Sequence, residues 1–415
     1  MLKNYIKMAL KVLRRRKFFT FISLFAIGFT LTVLTITAAL LDHTLAPMPP
    51  ETMAGRTLGI YRVEARGENL HVRSSPGYRL LERCLPNLPG AEAVTIFSNH
   101  TSVNSYVEGR KIESQLKRTD GAYWEIMDFH FLEGHPYTEE DVRNANFVAV
   151  INDRTRREFF GGGSAAGRTI EADAQRFRVV GVVADVPIYR NNPFADIWVP
   201  TTTAKNDLYR SQYIAGFTGL ILAKERAAFA DIRAEYQTRL SQIDLSELDY
   251  ENVDVFLSRP ETYFEAASRE MLNTSIEDTK TIYLFAYVAG LMILFMLLPT
   301  ISLVNINVSR ILERASEIGV RKAFGASRLT LVGQFVTENV ILTLFGGVIA
   351  LAASYVILIA VTHSGLIPYA EFEPNLRIFA AALGIALFFG VFSGVYPAWK
   401  MSRLHPVEAL RGKML

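Results

Sequence analysis

Four long apolar blocks constrain the fold of this chain more than any other feature of its sequence. None of the four contains a charged residue, and the one that starts at Asn339 begins directly after Glu338. The blocks are Phe18 to Leu41, Thr281 to Val304, Asn339 to Val361 and Ile378 to Ala398. A helix needs about 20 apolar residues to cross the hydrocarbon core of a bilayer. We therefore predict an α-helical membrane protein with four transmembrane helices, at 18–41, 281–304, 329–361 and 378–398.

Basic residues in the short flanking segments predict the orientation of these helices, because Lys and Arg tend to stay in the cytoplasm. They crowd before the first block, between the second and third, and after the fourth. They are Lys3, Lys7, Lys11, Arg14, Arg15, Arg16, Lys17, Arg310, Arg314, Arg321, Lys322, Arg328, Lys400, Arg403, Arg411 and Lys413. The connection between the third and fourth blocks carries Glu371 and Glu373 against Arg377. Both termini are therefore expected inside, with 1–17 as an amphipathic basic helix and 399–415 as a cytoplasmic tail.

A cleaved signal peptide is the alternative interpretation of the first block, since a basic start and an apolar run are its marks. The apolar run from Phe18 to Leu41 is longer than a typical signal, and Thr37-Ala38-Ala39 is only a weak cleavage site. We expect a retained helix. The net charge of +3 then needs no nucleic-acid partner, because the basic surplus lies where membrane topology requires it.

The segment 43–280 is predicted to form one large α+β extracytoplasmic domain between helices 1 and 2, in two subdomains. β-Branched runs such as "TLGIYRVEA", "NFVAVIND" and "RFRVVGVVADV" predict strands, and "AAFADIRAEYQTRLSQI" predicts a helix. Cys84 is the single cysteine, so no internal disulfide can form. The fold of this domain must therefore depend on packing.

A glycine-rich stretch in this domain, "GGSAAGRT" from Gly162 to Thr169, fits the P-loop template except that Arg168 replaces the lysine. A P-loop follows a strand and precedes a helix, whereas "DRTRREFFGGG" predicts a helix and "RTIEADAQRFRVVGVV" predicts strands. The order is inverted, so we interpret Gly161 to Gly167 as a helix stop and turn. No other P-loop template appears in the chain, and any ATPase is expected on another chain.

The polar run "RPETYFEAASREMLNTSIEDTKTIYLF", Arg259 to Phe285, precedes the second block. If it is one helix that continues out of the membrane as a stalk, it can carry motion as a rigid rod. A solvated helix with no such role fits the charges equally well. A break in helicity between Asn273 and Thr281 would contradict the stalk hypothesis.

The cytoplasmic segment "SRILERASEIGVRKAFGASRLTLVGQFVTENV", Ser309 to Val340, predicts a short amphipathic helix over 309–326. Gly325 would end this helix and Ser327 would cap the next one. One interpretation is a surface helix that only fixes topology. The other is a docking element that transmits force from a cytoplasmic partner.

Three features resemble the MacB and FtsX-type permeases of ABC transporters. They are "RASEIGVRKAFGAS" with the following "QFVTENVILTLFGG", the tail "YPAWKMSRLHPVEALR", and the layout of one helix, a large outer domain and three helices. The exported "FFGGGSAAGRTIEADAQRFRVVGVVADVP" is also similar to the outer domain of that family. The resemblance covers nearly the whole chain and is strongest in its last third.

The resemblance implies a multi-pass permease subunit of the bacterial inner membrane, with its large domain in the periplasm. It implies a dimer with a second copy or a paralogue, and two copies of a separate cytoplasmic P-loop ATPase that holds ATP and Mg. ATP binding would work the outer domains by mechanotransmission, to export or extract a peptide, lipoprotein, antibiotic or other amphiphile. A periplasmic adaptor or an outer-membrane tunnel would complete some such machines. The ATPase-coupling residues carried over from the family motif are Arg314, Glu317, Gly319, Arg321, Lys322 and Gly325.

A transmembrane regulator similar to FtsX, whose outer domain activates an envelope hydrolase, is the alternative function. The large outer domain favours transport, because such regulators usually carry a smaller one. We find no motif specific enough to propose catalysis and expect no cofactor on this chain. The histidines of the outer domain, His71, His100, His130 and His135, lack the spacing of a zinc site, so no metal site is predicted.

Overall fold

The computed structural model describes residues 17–45, 48–107, 109–278, 280–313, 320, 324, 327–364 and 376–402. The chain divides into two compact units. His43–Leu284 form an α+β unit, and the long helices form a helical unit. The α+β class predicted for the large insertion is therefore observed.

Ten α-helices occur in the described ranges. They are α1 (Lys17–Leu45), α2 (Tyr78–Cys84), α3 (Tyr123–Ile126), α4 (Glu139–Arg143), α5 (Asp153–Phe160), α6 (Phe229–Ser241), α7 (Tyr263–Met271), α8 (Thr281–Glu313), α9 (Arg328–Ser364) and α10 (Leu376–Ser402). Each of the four predicted spans lies within one of the long helices α1, α8, α9 and α10. Helix α8 runs on through residues 305–313, so the second predicted span and the start of the predicted coupling helix form one helix.

Two of the long helices are apolar over enough described residues to cross a membrane, at Lys17–Leu40 and Val332–Ser364. The apolar parts of α8 and α10 are shorter, at Thr281–Phe295 and Phe379–Phe392. The helices themselves are as predicted, and the count of four membrane spans stays a prediction.

Small residues bring the helices of the helical unit close together. The Cβ of an alanine at Gly346 would lie 2.6 Å from Ile27 Cγ2, and one at Gly347 would lie 2.7 Å from Leu383 Cδ1. Glycines at such contacts let helix backbones approach within a membrane. Helices α1, α9 and α10 accordingly share one buried cluster that includes Leu31, Leu342 and Ala386.

Thirteen strands build the α+β unit within the described residues. They are β1 (Thr57–Ile60), β2 (Val63–Gly67), β3 (Leu70–Ser74), β4 (Ala91–Ser98), β5 (Thr101–Val107), β6 (Arg110–Thr119), β7 (Phe131–Gly134), β8 (Val148–Asn152), β9 (Thr169–Ala172), β10 (Gln175–Val183), β11 (Ile197–Pro200), β12 (Phe217–Ala223) and β13 (Val255–Ser258). The runs predicted as strands lie in β1, β2, β8 and β10, and the predicted helix lies in α6. These predictions are confirmed.

A ten-stranded sheet has the order β1-β12-β4-β6-β11-β8-β10-β7, with β5 paired to β6 and β9 paired to β10. Most pairs are antiparallel, whereas β10 with β8 and β11 with β6 are parallel. Strand β12, "FTGLILA", is buried along its whole length. A strand covered on both faces has such a continuous apolar sequence.

Part of this sheet curls into a nearly closed barrel. Strands β5, β6, β11, β8, β10 and β9 pair in that order. Strand β5 then meets β9, where the Ser105 hydroxyl donates a hydrogen bond to the Glu171 carbonyl oxygen at 2.6 Å. All six strands contribute side chains to one core, among them Val103, Leu116, Ile151, Ile170, Phe177 and Ile197. We call the contact between β5 and β9 the barrel seam.

A three-stranded antiparallel sheet, β13-β2-β3, forms a second layer of the α+β unit. Helices α2 and α6 pack with it around a core that includes Leu81, Tyr236 and Phe256 and that is shared with β1 and β12 of the large sheet. Helix α7 follows this sheet in the chain and begins with a capping box, in which the Thr262 hydroxyl and the Glu265 carboxylate satisfy each other's backbone N–H groups.

The stalk hypothesis is wrong. Helix α7 ends at Met271, Asn273 adopts the left-handed conformation with φ 47°, and the next helix begins at Thr281. The Thr274 N–H donates to the Arg269 carbonyl oxygen at 3.1 Å, which closes the helix with the bond pattern of a Schellman motif. Ile276 is buried, with 3% of its surface exposed. Because the chain leaves the helix axis to bury Ile276, it cannot form one rod.

Candidate functional site

The predicted coupling residues Arg314, Glu317, Gly319, Arg321, Lys322 and Gly325 lie outside the described residues. Beyond them, the Thr330 N–H donates to the Ser327 hydroxyl at 3.2 Å, and α9 begins at Arg328. The predicted cap of the third long helix is therefore confirmed, while the coupling site itself stays a prediction.

Two clusters of polar side chains hold the chain where it enters and leaves the α+β unit. We call them the N-terminal anchor, around Glu51, and the C-terminal anchor, around Glu277. Both act on the short segments that connect this unit to α1 and α8. Any motion that passes along the chain between the two units must pass through these segments.

The N-terminal anchor joins residues 48–51 to a loop more than a hundred positions later. Arg190 donates to the Met48 carbonyl oxygen at 3.1 Å and to the Glu51 carboxylate at 3.3 Å. The Asn192 amide donates to the other Glu51 oxygen at 2.9 Å. Burial raises the pKa of Glu51, and the hydrogen bonds and charges of Asn192, Arg190 and Lys117 partly offset this shift. A cavity of about 20 Å³ beside Glu51 and Asn192 has room for one water molecule.

Lys117 lies beneath this anchor and is fully buried. Its ammonium group donates to the carbonyl oxygens of Asn191 at 2.7 Å and Asn192 at 2.5 Å. Burial lowers the pKa of Lys117 to about 7, although the Glu51 carboxylate acts in the opposite direction. Lys117 therefore fixes the loop that holds Glu51.

The C-terminal anchor holds residues 273–277 against the small sheet. Arg66 of β2 pairs with Glu277 at 3.2 Å, and Arg73 of β3 donates to the Asn273 side chain at 3.1 Å. Arg259 donates to the Ile276 carbonyl oxygen at 3.3 Å. The segment that leads into α8 is thus bound to two strands by arginines, and it connects to α7 through a bend.

A buried ion pair supports this anchor from α7. Arg269 and Glu261 are 2% and 1% exposed, and their closest N–O distance is 2.7 Å. Arg269 Nε donates to Glu261 Oε1 at 3.2 Å and Nη2 donates to Oε2 at 2.7 Å, so the pair is bidentate. The backbone of Glu261 exchanges two hydrogen bonds with Gly59 of β1, at 2.7 and 2.9 Å. The ion pair therefore links α7 to the edge of the ten-stranded sheet.

The glycine-rich loop has the inverted order that the sequence predicts. It follows α5 and precedes β9, and Gly161 adopts the left-handed conformation with φ 61°. The Glu133 carboxylate accepts hydrogen bonds from the Ser164 hydroxyl at 2.9 Å and the Ala165 N–H at 3.0 Å. These groups form a concavity of the kind that binds anions, and here a carboxylate of the same chain fills it.

Glu133 gives this loop a pH dependence. Desolvation raises the pKa of Glu133, but hydrogen bonds from Ala165, Arg156 and Ser164 outweigh it and lower the pKa to about 2, from an ordinary value of 4.5. Because its pKa is depressed, ionised Glu133 contributes its full stabilisation of the fold above pH 4.5. This contribution is lost as the pH falls through 2. We expect hydrogen exchange at Ala165, corrected for the intrinsic rate, to speed up as the pH falls from about 4.5 toward 2.

The matched variant for that measurement is Glu133→Gln. It keeps the side-chain shape and removes the titration, so exchange at Ala165 should be faster than in the wild type at pH 7 and should change little with pH. The lost charge-assisted hydrogen bonds correspond to roughly 1.5–3 kcal/mol. Equal hydrogen-exchange protection of the Ala165 amide in the wild type and in Glu133→Gln at pH 7 would show that Glu133 does not hold the loop.

Metal binding gains no support from the described ranges, in which no three His, Cys, Asp or Glu side chains come together as a metal site requires. The residues that sequence reasoning missed are Glu51, Lys117 and Glu133. Their partners lie far away in the sequence, and none of the three belongs to a motif.

Comparison with known protein families covers both units. Residues 20–239 match the family described as MacB-like periplasmic core domain, and residues 289–406 match the family described as FtsX-like permease C-terminal. The first match alone spans more than half of the chain. This chain belongs to the MacB/FtsX-type ABC transporter permeases. The α+β unit is therefore the periplasmic domain of an inner-membrane permease, and the resemblance inferred from the motifs is confirmed.

Individual relatives are distant in sequence. The macrolide export ATP-binding/permease protein MacB of Vibrio parahaemolyticus is 26% identical over 329 residues, which cover 79% of this chain and 47% of that protein. YvrN, described as an uncharacterized ABC transporter permease of Bacillus subtilis, is 26% identical over 300 residues, which cover 72% of this chain and 70% of that protein. The chain spans about half the length of the MacB relatives that it matches.

The periplasmic domain is also similar to a solved structure. The crystal structure of the periplasmic region of MacB from Actinobacillus actinomycetemcomitans aligns with 54% of this chain and 95% of that chain, at 16% sequence identity and a TM-score of 0.38.

Proposed function

We propose that this chain is the permease subunit of an ABC transporter whose ATP hydrolysis takes place on a separate cytoplasmic P-loop ATPase. Two permease chains, identical or paralogous, would form a dimer that recruits two ATPase copies. ATP and Mg would bind the partner. The observation that carries the proposal is the family match over both the periplasmic and the C-terminal permease regions.

Mechanotransmission is the mode of action that we propose. The two anchors support it, because hydrogen bonds and ion pairs connect the segments next to α1 and α8 to the periplasmic domain. Movement of these two helices would then displace the domain as a body instead of being absorbed in loose linkers. The chain bends at Asn273 before α8 begins at Thr281. The cargo would be a peptide, lipoprotein, antibiotic or other amphiphile, taken from the periplasm or the outer leaflet.

The proposed coupling site is the cytoplasmic segment with Arg314, Glu317, Gly319, Arg321, Lys322 and Gly325. A short segment that is continuous with membrane helices can receive movement from an ATPase and pass it to those helices. Both termini would lie in the cytoplasm with this segment, according to the distribution of Lys and Arg.

Purification from the native membrane in mild detergent, followed by mass spectrometry, tests this function. We expect a P-loop ATPase to be recovered with the chain in a stoichiometric amount. A lipoprotein, adaptor or outer-membrane tunnel in the same eluate would support transport. Recovery of an envelope hydrolase would instead support an FtsX-like regulator, and failure to recover any ATPase would contradict both.

A further inference from the structure

An aromatic groove lies on the periplasmic domain beside the barrel seam. Its volume is about 750 Å³, and ten residues line it. Six of them determine its chemistry, namely Tyr106, Phe147, Phe159, Phe160, Arg176 and Arg178. Four of the six, Phe159, Phe160, Arg176 and Arg178, belong to the stretch that is similar to the outer domain of the family, whereas Tyr106 and Phe147 belong to no motif.

One side of the aromatic groove exposes large apolar rings. Tyr106, at the end of β5, is 72% exposed, and Phe147, just before β8, is 47% exposed. The Phe147 ring packs on the core residue Phe177 with a centroid distance of 5.5 Å, so its orientation is fixed from below. Rings held in place at a surface bind apolar ligands with little loss of conformational entropy.

The other side carries positive charge. Arg176 and Arg178 point outward from β10, and the Arg176 side chain is 82% exposed. The Glu171 carboxylate, which also lines the groove, lies 3.9 Å from Arg176 and is itself 61% exposed, so this pair is weak. Asp141 is close enough to Arg178 for the positive charge of Arg178 to lower the pKa of Asp141. Arg168, which is not among the lining residues, stacks on Phe160 with its guanidinium carbon 4.1 Å from the ring centre. Arg176 and Arg178 therefore place positive charge at the edge of an apolar surface, and Glu171 and Asp141 offset part of it.

We propose that the aromatic groove binds an amphiphile that joins an apolar ring or chain to an anionic group. The rings would contact the apolar part, and Arg176 and Arg178 would bind the anion. The volume lies within the range of 300–1,000 Å³ that is usual for small-molecule sites. Ten lining residues are fewer than the 20–30 on each side of a stable protein interface. Interpreting the bound amphiphile as cargo rests on the proposed function, whereas the binding itself does not require the ATPase.

Fluorescence titration of the full chain in phosphatidylcholine nanodiscs tests the aromatic groove. The probe is 8-anilinonaphthalene-1-sulfonate, whose emission rises in apolar sites, and N-phenyl-1-naphthylamine is its uncharged analogue. Empty nanodiscs provide the background. We expect saturable binding of the sulfonate, and about tenfold weaker binding by Arg176→Glu/Arg178→Glu, which corresponds to about 1.4 kcal/mol. The uncharged analogue should bind that variant and the wild type equally.

The matched control is Lys224→Glu/Arg226→Glu. It changes the net charge by the same amount at two exposed positions of the same domain, outside the aromatic groove. It should bind both probes as the wild type does. Tyr106→Ser/Phe147→Ser removes apolar contacts and should weaken the binding of both probes. All of the substituted side chains are exposed, so each variant should show the circular dichroism of the wild type.

Equal sulfonate binding by the wild type, the groove variants and the control would overturn the proposal. Capture of an acidic polypeptide without binding of the sulfonate would also overturn the proposal, because the groove would then be a protein-docking surface. Failure of sulfonate binding while the ATPase is still recovered would overturn this inference alone. Loss of the ATPase with intact sulfonate binding would overturn the proposed function and leave the groove in place.

Discussion

Replacing Arg269 with methionine is expected to lower the free energy of unfolding of the periplasmic domain by about 3 kcal/mol, the low end of the range for breaking a buried ion pair. The Glu261 carboxylate loses its hydrogen-bonded partner and keeps the more distant Arg259, at 3.8 Å. Glu261 is only 1% exposed, so water cannot replace the guanidinium group. The loss should lower the melting temperature by roughly 10 °C for a domain of this size. Thermal unfolding of the full chain in detergent, followed by tryptophan fluorescence, measures it, since two of the three tryptophans, Trp124 and Trp198, lie in this domain.

Two further variants decide whether the buried charge is the cause. Arg269→Met/Glu261→Leu removes both charges, and its stability should return to within about 2 kcal/mol of the wild type, because an apolar pair tolerates burial. Arg226→Met makes the same substitution at an exposed position and should change the stability by less than about 0.5 kcal/mol. A single variant Arg269→Met that is as stable as Arg226→Met would contradict the energetic role assigned to the pair.

Glu317→Arg is expected to remove most of the ATPase from the purified complex. In the proposed coupling segment, Glu317 stands among Arg314, Arg321 and Lys322, so reversal of its charge leaves that stretch uniformly basic. Loss of one partner in a buried interfacial charge pair costs about 2–5 kcal/mol, or at least roughly 30-fold in Kd. Quantitative mass spectrometry of the eluate measures the ratio of ATPase to permease.

Glu251→Arg is the control for this variant. It makes the same charge reversal at an exposed position of the periplasmic domain and should retain the ATPase at the wild-type ratio. Membrane insertion of both variants is checked by equal yield and equal elution volume. If Glu317→Arg retains the ATPase as fully as Glu251→Arg does, the coupling site carried over from the family motif is wrong.

Features encoded by neighbouring residues could be predicted from the sequence. The long helices follow from continuous apolar composition, and the strands β8 and β10 follow from β-branched runs. The stop at Gly161 and the cap at Ser327 depend on residues within three or four positions. The family resemblance rested on such local motifs as well, and it proved correct.

Features that depend on distant residues could not be predicted in this way. The run after Thr262 has the composition of a continuous helix, but Arg66 and Arg73 bind residues 273–277 from strands at least 200 positions earlier. These contacts and the burial of Ile276 outweigh local helix propensity. Glu51 likewise meets Asn192 across 141 positions. The barrel seam and the aromatic groove beside it arise only when β5 reaches β9.

The distance between the periplasmic domains of two permease chains, with and without ATP, is the most direct test of mechanotransmission. A spin label at Glu251→Cys, one per chain, reports this distance by pulsed electron paramagnetic resonance. Cys84 should stay unlabelled, because it is buried and its burial raises the pKa of the thiol to about 11. We predict that the distance distribution shifts by several ångströms when a hydrolysis-deficient ATPase partner binds ATP. Identical distributions with and without ATP, in a complex that retains its ATPase, would contradict the account.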